Sequence, residues 1–469
     1  MRLMKFGKAL LIGALSAGVV FGVTSCVESY TVGFLYVTGT VTASTGDEGI
    51  ISGYKIDHNT GKLSPINGLP VPSGGANPVR AVLTLGSRFL YVLNRGVNAE
   101  GNGDCTTADP CQGANITQFV VGGNGILTYQ ETFYTQGLNP FRLIADASGN
   151  FLLALDHDAP SDLPCQAALG GTVTACGDVT VFQINQTTGR LSLIQNAAVT
   201  SASCPSSTFP CPLTYFPVPA DPVDFVMASG YVLTLTATSP QTSFPNTGGG
   251  VVWPYAYNST NGQLTISSNS PQPLADAYTS NGLVNSGTAI INADGVIYVL
   301  DNEAIAIPTC SDCSFSGDSS PSQILPYTVG TGGALQAETS GIIPDDPNLS
   351  NPIQLLVENK GKYVYIANDG NNTTGNNTPS ANIAAYFIST TPAYQLSFIA
   401  GEPFGSGAGP QCIVEDPSNQ FIYEANEYDS SITGRVVDPN SGELDGMHVT
   451  STYSLQGPAT WCLVDGRTG

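Results

Sequence analysis

Three histidines occur in the 469 residues, and His157 is flanked by Asp156 and Asp158. That spacing lets one carboxylate orient the imidazole while the ring nitrogen takes a proton from water, the arrangement of a general base with its orienting acid. More often, though, such a triplet belongs to a solvated loop. His58 lies in a turn, Asp57-His58-Asn59-Thr60-Gly61, and His448 in a stretch that reads as an outer strand. The cysteines are more numerous. There are 11, and eight form close couples in Gly/Ser/Pro/Thr-rich segments: Cys105/Cys111, Cys165/Cys176, Cys204/Cys211 and Cys310/Cys313. Local disulfides in an oxidising compartment account for such couples. Cys310-Ser311-Asp312-Cys313 has the spacing of a zinc half-site or a redox motif, but no second C-x-x-C and no βαβ context accompany it. Asp345-Asp346 and Asp156/Asp158/Asp162 lack the spacing and terminal Glu of an EF-hand loop. No metal and no cofactor are expected.

Cys26 has a different setting. Arg2, Lys5 and Lys8 precede an apolar or small-residue run, Ala9–Val23, which is shorter than the ~20 residues a membrane-spanning helix needs. The pattern fits an export signal. Val23-Thr24-Ser25-Cys26 resembles the lipobox of bacterial lipoproteins, in which the Cys carries the lipid. This gives a signal peptide over 1–25, a short tether over 26–33, and a folded domain over 34–469. The protein is expected at the cell envelope, anchored to membrane through the lipid on Cys26, in the periplasm or on the outer surface.

The formal charge is −22, and three of the 14 basic residues precede Cys26. So acidic a chain excludes nucleic acid as a partner, and binding to anionic lipid through a basic face.

The elements that must position these residues announce themselves by repetition. A G-x-L hairpin recurs at Gly61-Lys62-Leu63, Gly125-Ile126-Leu127, Gly189-Arg190-Leu191, Gly262-Gln263-Leu264, Gly333-Ala334-Leu335 and Gly442-Glu443-Leu444, with Tyr394-Gln395-Leu396 as a seventh without its Gly. A short strand like F-L-Y-V recurs at Phe34–Val37, Phe89–Val92, Phe151–Ala154, Tyr231–Thr234, Ile297–Leu300, Tyr363–Ile366 and Phe421–Glu424. A polar or small residue plus Pro opens a third kind of strand at Asn77-Pro78, Asn139-Pro140, Asp221-Pro222, Asn351-Pro352, Gly409-Pro410 and Gly457-Pro458, and Asn285-Ser286 takes the same place without Pro. Pro is tolerated at the first residue of a strand, where its missing N–H is not needed.

The cyclic order of these signals predicts four-stranded units: strand a after N-P, strand b as F-L-Y-V, strand c such as Val179–Ile184, and strand d from G-x-L. Helical periodicity is nearly absent. The fold class is all-β, a seven-bladed β-propeller with four-stranded blades. The chain starts on strand b and ends on strand a, so the C-terminal strand a must pair with the N-terminal strand b to close the ring.

Strand order sorts the loops onto two faces. The a-to-b and c-to-d turns are short. The other face is elaborated by long b-to-c insertions over Gly96–Ala114, Ala159–Gly177, Glu303–Pro321 and Asp369–Ala381 and by a d-to-a insertion over Ser201–Pro217. Long, stapled loops mark this face for binding. Strand a lines the channel, and the residue two after its opening Pro, or its equivalent, is Arg80, Arg142, Asp224, Thr288, Gln354, Cys412 and Thr460 around the ring. Of these, Arg80, Arg142, Asp224, Gln354 and Cys412 are the candidate ligand-binding residues, two cationic forks suited to a carboxylate or phosphate. Polar channel linings also occur in propellers without a ligand.

Phe34-Leu35-Tyr36-Val37, Ile56-Asp57-His58-Asn59-Thr60-Gly61-Lys62-Leu63 and Ile184-Asn185-Gln186-Thr187-Thr188-Gly189-Arg190-Leu191 resemble phrases of the lactonase family of seven-bladed propellers, whose namesake is a bacterial 6-phosphogluconolactonase. The resemblance spans nearly all of Phe34–Val464. It implies hydrolysis of sugar lactones, carried in that family by His-rich and Gly-Pro-Arg-His strands a with an acid nearby. The matching strands here read Asp221-Pro222-Val223-Asp224, Asn285-Ser286-Gly287-Thr288 and Gly409-Pro410-Gln411-Cys412, without that His and Arg, although Glu303 and Glu427 follow b strands. The sequence therefore points to a monomeric envelope propeller that binds a small anion, a glycan or a protein on its elaborated face. A lactone hydrolase at the channel mouth is the alternative.

Overall fold

The computed structural model describes residues 30–43, 46–84, 86, 88–103, 105–169, 175–199, 212–236, 250–269, 272–274, 287–302, 322–343, 351–370 and 381–466. The segment read above as an export signal, and Cys26, Cys204, Cys211, Glu303, Cys310, Cys313, Asp345 and Asp346, lie outside the described residues.

Seven antiparallel sheets form the blades, each ordered a-b-c-d from the centre outward. Blade 1 pairs Ala459–Asp465 with Thr31–Ala43, then Gly46–Asp57 and Leu63–Pro65. Blade 2 has Pro78–Leu83, Phe89–Asn94, Asn115–Val121 and Leu127–Phe133. Blade 3 has Leu138–Ala145, Phe151–Asp158, Cys176–Ile184 and Leu191–Leu193, and blade 4 Pro222–Ala228, Tyr231–Thr236, Val251–Asn258 and Gln263–Ile266. Blade 5 has Gly287–Ala293, Val296–Asn302, Ser322–Val329 and Leu335–Ala337. Blade 6 has Pro352–Val357, Tyr363–Asn368, Asn382–Ile388 and Leu396–Phe398, and blade 7 Pro410–Glu415, Phe421–Asn426, Ser431–Val437 and Leu444–Gly446. The innermost strands touch in cyclic order, and Ala459–Asp465 contacts both blade 7 and blade 2. The ring is closed as the sequence predicts, by the last strand bonded to the first.

The repeated phrases are one interface seen from two sides. The b-strand Tyr of one blade donates its hydroxyl to the hairpin carbonyl of the next: Tyr36 to Gly125 (2.8 Å), Tyr91 to Gly189, Tyr298 to Tyr394 (3.1 Å), Tyr365 to Gly442 (2.9 Å) and Tyr423 to Gly61 (2.6 Å). The hairpin Gly faces the aromatic that opens the same b strand. A β-carbon on Gly61, Gly125, Gly189, Gly262, Gly333 or Gly442 would approach Phe421, Phe34, Phe89, Phe151, Tyr231 or Tyr363 to 2.5–2.9 Å, and these glycines have φ of +67° to +81°. Both demands exclude a side chain. Strands b are apolar without alternation because both faces are covered by neighbouring blades; Phe34, Tyr36, Leu90, Val92 and Phe119 pack across the junction of blades 1 and 2.

In blades 2, 3, 4, 6 and 7 the residue before the opening Pro is left-handed: Asn77, Asn139, Asp221 and Asn351 have φ of +50° to +57°, and Gly409 +68°. Asn, Asp and Gly tolerate that region best, which accounts for the N-P signal. Among the described residues, disulfides join Cys105–Cys111, Cys165–Cys176 and Cys412–Cys462. Cys165 sits on a seven-residue helix, Leu163–Leu169, within the blade 3 insertion. Cys412 and Cys462 tie the inner strands of blades 7 and 1 with Cα atoms 5.7 Å apart.

A polar path from rim to channel

Each innermost strand carries a β-bulge near its start, and the bulge sets the register of the channel ring. It falls between Pro78 and Arg80, between Pro222 and Asp224, between Gly287 and Ala289, between Pro352 and Gln354, and between Pro410 and Cys412. In blade 3 it leaves Arg142 opposite Leu155, and in blade 1 Trp461 opposite Thr38. The equivalent residues are therefore Trp461, Arg80, Arg142, Asp224, Ala289, Gln354 and Cys412. Counting from the opening Pro misplaces two blades by one residue. Gly287 and Ala459 take the place of Pro there, so Thr288 and Thr460 are bulge residues.

Ring side chains lean toward the next blade. Arg142 Nε lies 3.1 Å from Asp224 Oδ1. Asp224 Oδ2 accepts the Ile290 N–H of blade 5 at 3.0 Å, and Gln354 Oε1 the Ile413 N–H of blade 7 at 2.9 Å. Cys412, expected to line a site, is buried and bonded to Cys462, so it offers the channel nothing. Gln354 has spent its carbonyl oxygen and retains its NH2.

Arg80 breaks the pattern. A forward lean would bring it to Arg142, a like charge. It turns back instead and lies over the Trp461 ring, 3.5 Å from the centroid. Among the described residues it has no carboxylate and no hydrogen-bond acceptor. Burial, then the Arg142 charge, push its pKa well below the usual guanidinium value, and Asp224 only partly offsets them. A guanidinium stays protonated at any physiological pH, so the shift measures an uncompensated cation.

The path continues outward from Arg142. Its guanidinium is 5.2 Å from the centroid of Phe141, whose ring is 6.2 Å from that of His157. His157 Nδ1 is 3.2 Å from Asp158 Oδ2, and Nε2 is 3.6 Å from Asp221 Oδ1 of blade 4. Asp158 also accepts from Asn139 Nδ2 and Thr107 Oγ1, both at 2.8 Å. Thr107 belongs to the loop stapled by Cys105–Cys111, which is pinned again where Cys111 N–H donates to Asn139 Oδ1 at 2.8 Å. The hydrogen bond to Asp158 raises the His157 pKa, against burial. Burial pushes Asp158 upward, but bonds from His157, Thr107 and Asn139 outweigh it and hold it below the usual value. An imidazole between two carboxylates favours the protonated ring, a clasp between blades 3 and 4, over a neutral base with an open Nε2.

Asp156 does not join this path. It is fully buried and pairs across the sheet with Asp178, equally buried. The same b–c position holds Asn94–Asn115 in blade 2, Asp301–Gln323 in blade 5, Asn368–Asn382 in blade 6 and Asn426–Ser431 in blade 7, each closed by a side-chain hydrogen bond of 2.8–3.0 Å. Two carboxylates can reproduce that bond only by holding a proton. Burial raises the Asp156 pKa to about 7, against hydrogen bonds from Thr135, Asp178, Gly137 and Thr180. Burial and the Asp156 charge raise Asp178 well above the usual carboxylate range. Trp461, Phe141, Asp178 and Asp221 were not singled out from sequence as site residues. For Trp461 the signal was present in the offset opening of blade 1. Among the described residues, no group of three His, Cys, Asp or Glu is placed to hold a metal ion.

Solved structures with this arrangement of blades include a periplasmic gluconolactonase from Pseudomonas aeruginosa and a protein of Bacteroides uniformis assigned as a 6-phosphogluconolactonase. Each is 14% identical over 92% of this chain and 99% of its own length, with a TM-score of 0.58. The fold is that of the seven-bladed lactonase-like propellers. A Lactobacillus plantarum protein has the same fold at 13% identity and a TM-score of 0.54, over 93% of this chain and 99% of its own. No family model matches the sequence, and no curated protein does. At these identities the likeness is one of fold. The polar groups that the channel and its rim bring together here are Arg80, Arg142, Asp224 and the His157 clasp, with Trp461 beneath Arg80.

Proposed function

We propose that this lactonase-like propeller is an exported binding protein, held at the envelope through a lipid on Cys26, that takes a small anionic ligand at the mouth of its elaborated face. The observation that carries the reading is Arg80, a channel guanidinium with an aromatic platform beneath it and, among the described residues, no anionic partner beside it. Arg142 adds a second fork, partly occupied by Asp224. The three disulfides suit an oxidising compartment and hence export. The competing reading, hydrolysis of a sugar lactone, draws on the gluconolactonase with the same fold. The test is a thermal-shift and calorimetric screen of the purified protein against sugar acids, sugar phosphates and sulfate, run beside an acid-release assay on glucono-1,5-lactone and its 6-phosphate. Saturable binding of an anion without acid release supports the binding reading. Turnover that is lost in His157→Ala supports the hydrolase, and silence in every arm refutes both.

A further inference from the structure

Charge is not spread evenly along the axis of the ring. Among the described residues the exposed basic side chains are Lys62, Arg88, Arg190, Lys360 and Lys362, and every one lies on a short a-to-b or c-to-d turn. Arg190 pairs with Glu131 at 3.1 Å; the other four form no ion pair among the described residues. Carboxylates occupy the same turns but fold inward. Asp57, Asp146, Glu358, Asp416 and Asp438 accept the N–H groups of Thr60, Phe151, Lys362, Phe421 and Asn440 at 2.6–2.9 Å. These acids are spent on closing turns whose cations stand out. Asp294 and Asp445 are the exposed carboxylates described at this end. The opposite, elaborated face exposes Glu48, Glu100, Asp162, Asp221 and Asp429, and its Arg95 is half-buried. The acidity of the whole chain conceals this separation.

The chain also enters at the short-turn end. The Tyr30 carbonyl accepts the His58 N–H at 3.0 Å, and the Tyr30 ring stacks on the His58 imidazole with centroids 4.5 Å apart. Both contacts fix the entry point to the c-to-d hairpin of blade 1. Cys26 is four residues earlier, so its Cα lies within about 14 Å of that of Tyr30. A six-residue strand spans about 20 Å, so a lipid on Cys26 is too closely tied to reach the elaborated face.

We propose that the short-turn face is the membrane-facing surface of the anchored protein, set against anionic headgroups, and that the channel mouth and stapled loops open away from the bilayer. The proposal rests on the Cys26 lipid of the reading above and adds an orientation to it. The lipid supplies the affinity. The unpaired cations supply the facing, because charge acts over about 8 Å at physiological ionic strength and the short tether brings the turns within that range. The reverse orientation would press Glu48, Glu100 and Asp162 against headgroups of their own sign.

Covalent footprinting read by mass spectrometry tests this, with the lipidated protein in vesicles of phosphatidylethanolamine and phosphatidylglycerol compared with the Cys26→Ser protein in solution. Amine acetylation reports on Lys62, Lys360 and Lys362, and carbodiimide coupling on Glu48, Glu100 and Asp162. The lysines are expected to react at least threefold more slowly on vesicles, and the carboxylates at rates within twofold of those in solution. Lysines that react equally in both forms overturn the orientation, as does slowing of the carboxylates instead. Flotation of the wild-type protein with the vesicles is a separate arm. A protein that does not float lacks the anchor, which removes the orientation together with the Cys26 part of the reading above and leaves its anion site standing.

Discussion

The buried Asp156–Asp178 pair makes a prediction opposite in sign to that of most carboxylates. Asp156 is held protonated in the folded state to about pH 7, whereas in the unfolded chain it ionises near 3.8. The fold binds more protons than the unfolded chain between those values. The pair's contribution is thus complete below about pH 3.8 and is lost as pH rises through about 7. The Asp156 displacement alone, at about 1.4 kcal/mol per pH unit, amounts to about 4 kcal/mol, and the raised Asp178 acts in the same direction, so the pair is expected to lose at least about 2 kcal/mol by pH 8. Glu415 and Glu424, raised to about 7 mainly by burial, slope the same way, so wild type alone cannot isolate the pair. Asp178→Asn can. It places an amide donor opposite Asp156, as Asn94 and Asn115 are placed in blade 2. The variant should gain about 2 kcal/mol at pH 8 and little at pH 5. The assay is urea denaturation of both proteins at half-unit steps from pH 5 to 8.5. A variant less stable than wild type at pH 8, or a stability difference that does not change with pH, would refute the shared proton.

Tyr365→Phe and Tyr423→Phe should each cost about 1 kcal/mol in the same denaturation assay, the worth of one buried interblade bond. Gly61→Ala should cost more, about 2 kcal/mol or above, because it meets both a positive φ and the Phe421 ring. Cys26→Ser should move the protein from the membrane fraction to the soluble fraction, and a palmitate analogue that labels wild type should not label it. Peptide mapping without reduction should recover the Cys105–Cys111, Cys165–Cys176 and Cys412–Cys462 bridges, with Cys204–Cys211 and Cys310–Cys313 as further local pairs.

The blades were legible because their signals are local and each answers a steric demand. Gly61 and its counterparts must have positive φ, Asn77 and its counterparts must be left-handed, and the b strands must be apolar on both faces. Closure was legible from which strand type begins and which ends the chain. The channel ring was legible in five blades and shifted in two, because the count started from Pro while the bulge starts from the strand, and Gly287 and Ala459 open their strands without Pro. What sequence withheld was contact across blades. Nothing local to Arg80 says that it turns back over Trp461, 381 positions later. Nothing local to Asp156 says that it faces Asp178 rather than the mouth beside His157.

The Tyr423–Gly61 bond, the Cys412–Cys462 bridge and the pairing of Ala459–Asp465 with Thr31–Ala43 all depend on residues near the end of the chain. A chain made from its N-terminus cannot finish blade 1 until the last strand has emerged. Until then Thr31–Ala43 shows an unpaired edge on one side, and six blades wait without the wedge that completes the circle. Contacts of such long sequence span form slowly and leave exposed strands open to wrong partners. Truncation of even the final strand therefore threatens the arch as a whole, much as an arch without its keystone stands only while something else supports it. A holding chaperone that covers that waiting edge would have its largest effect on yield here and none on the finished ring.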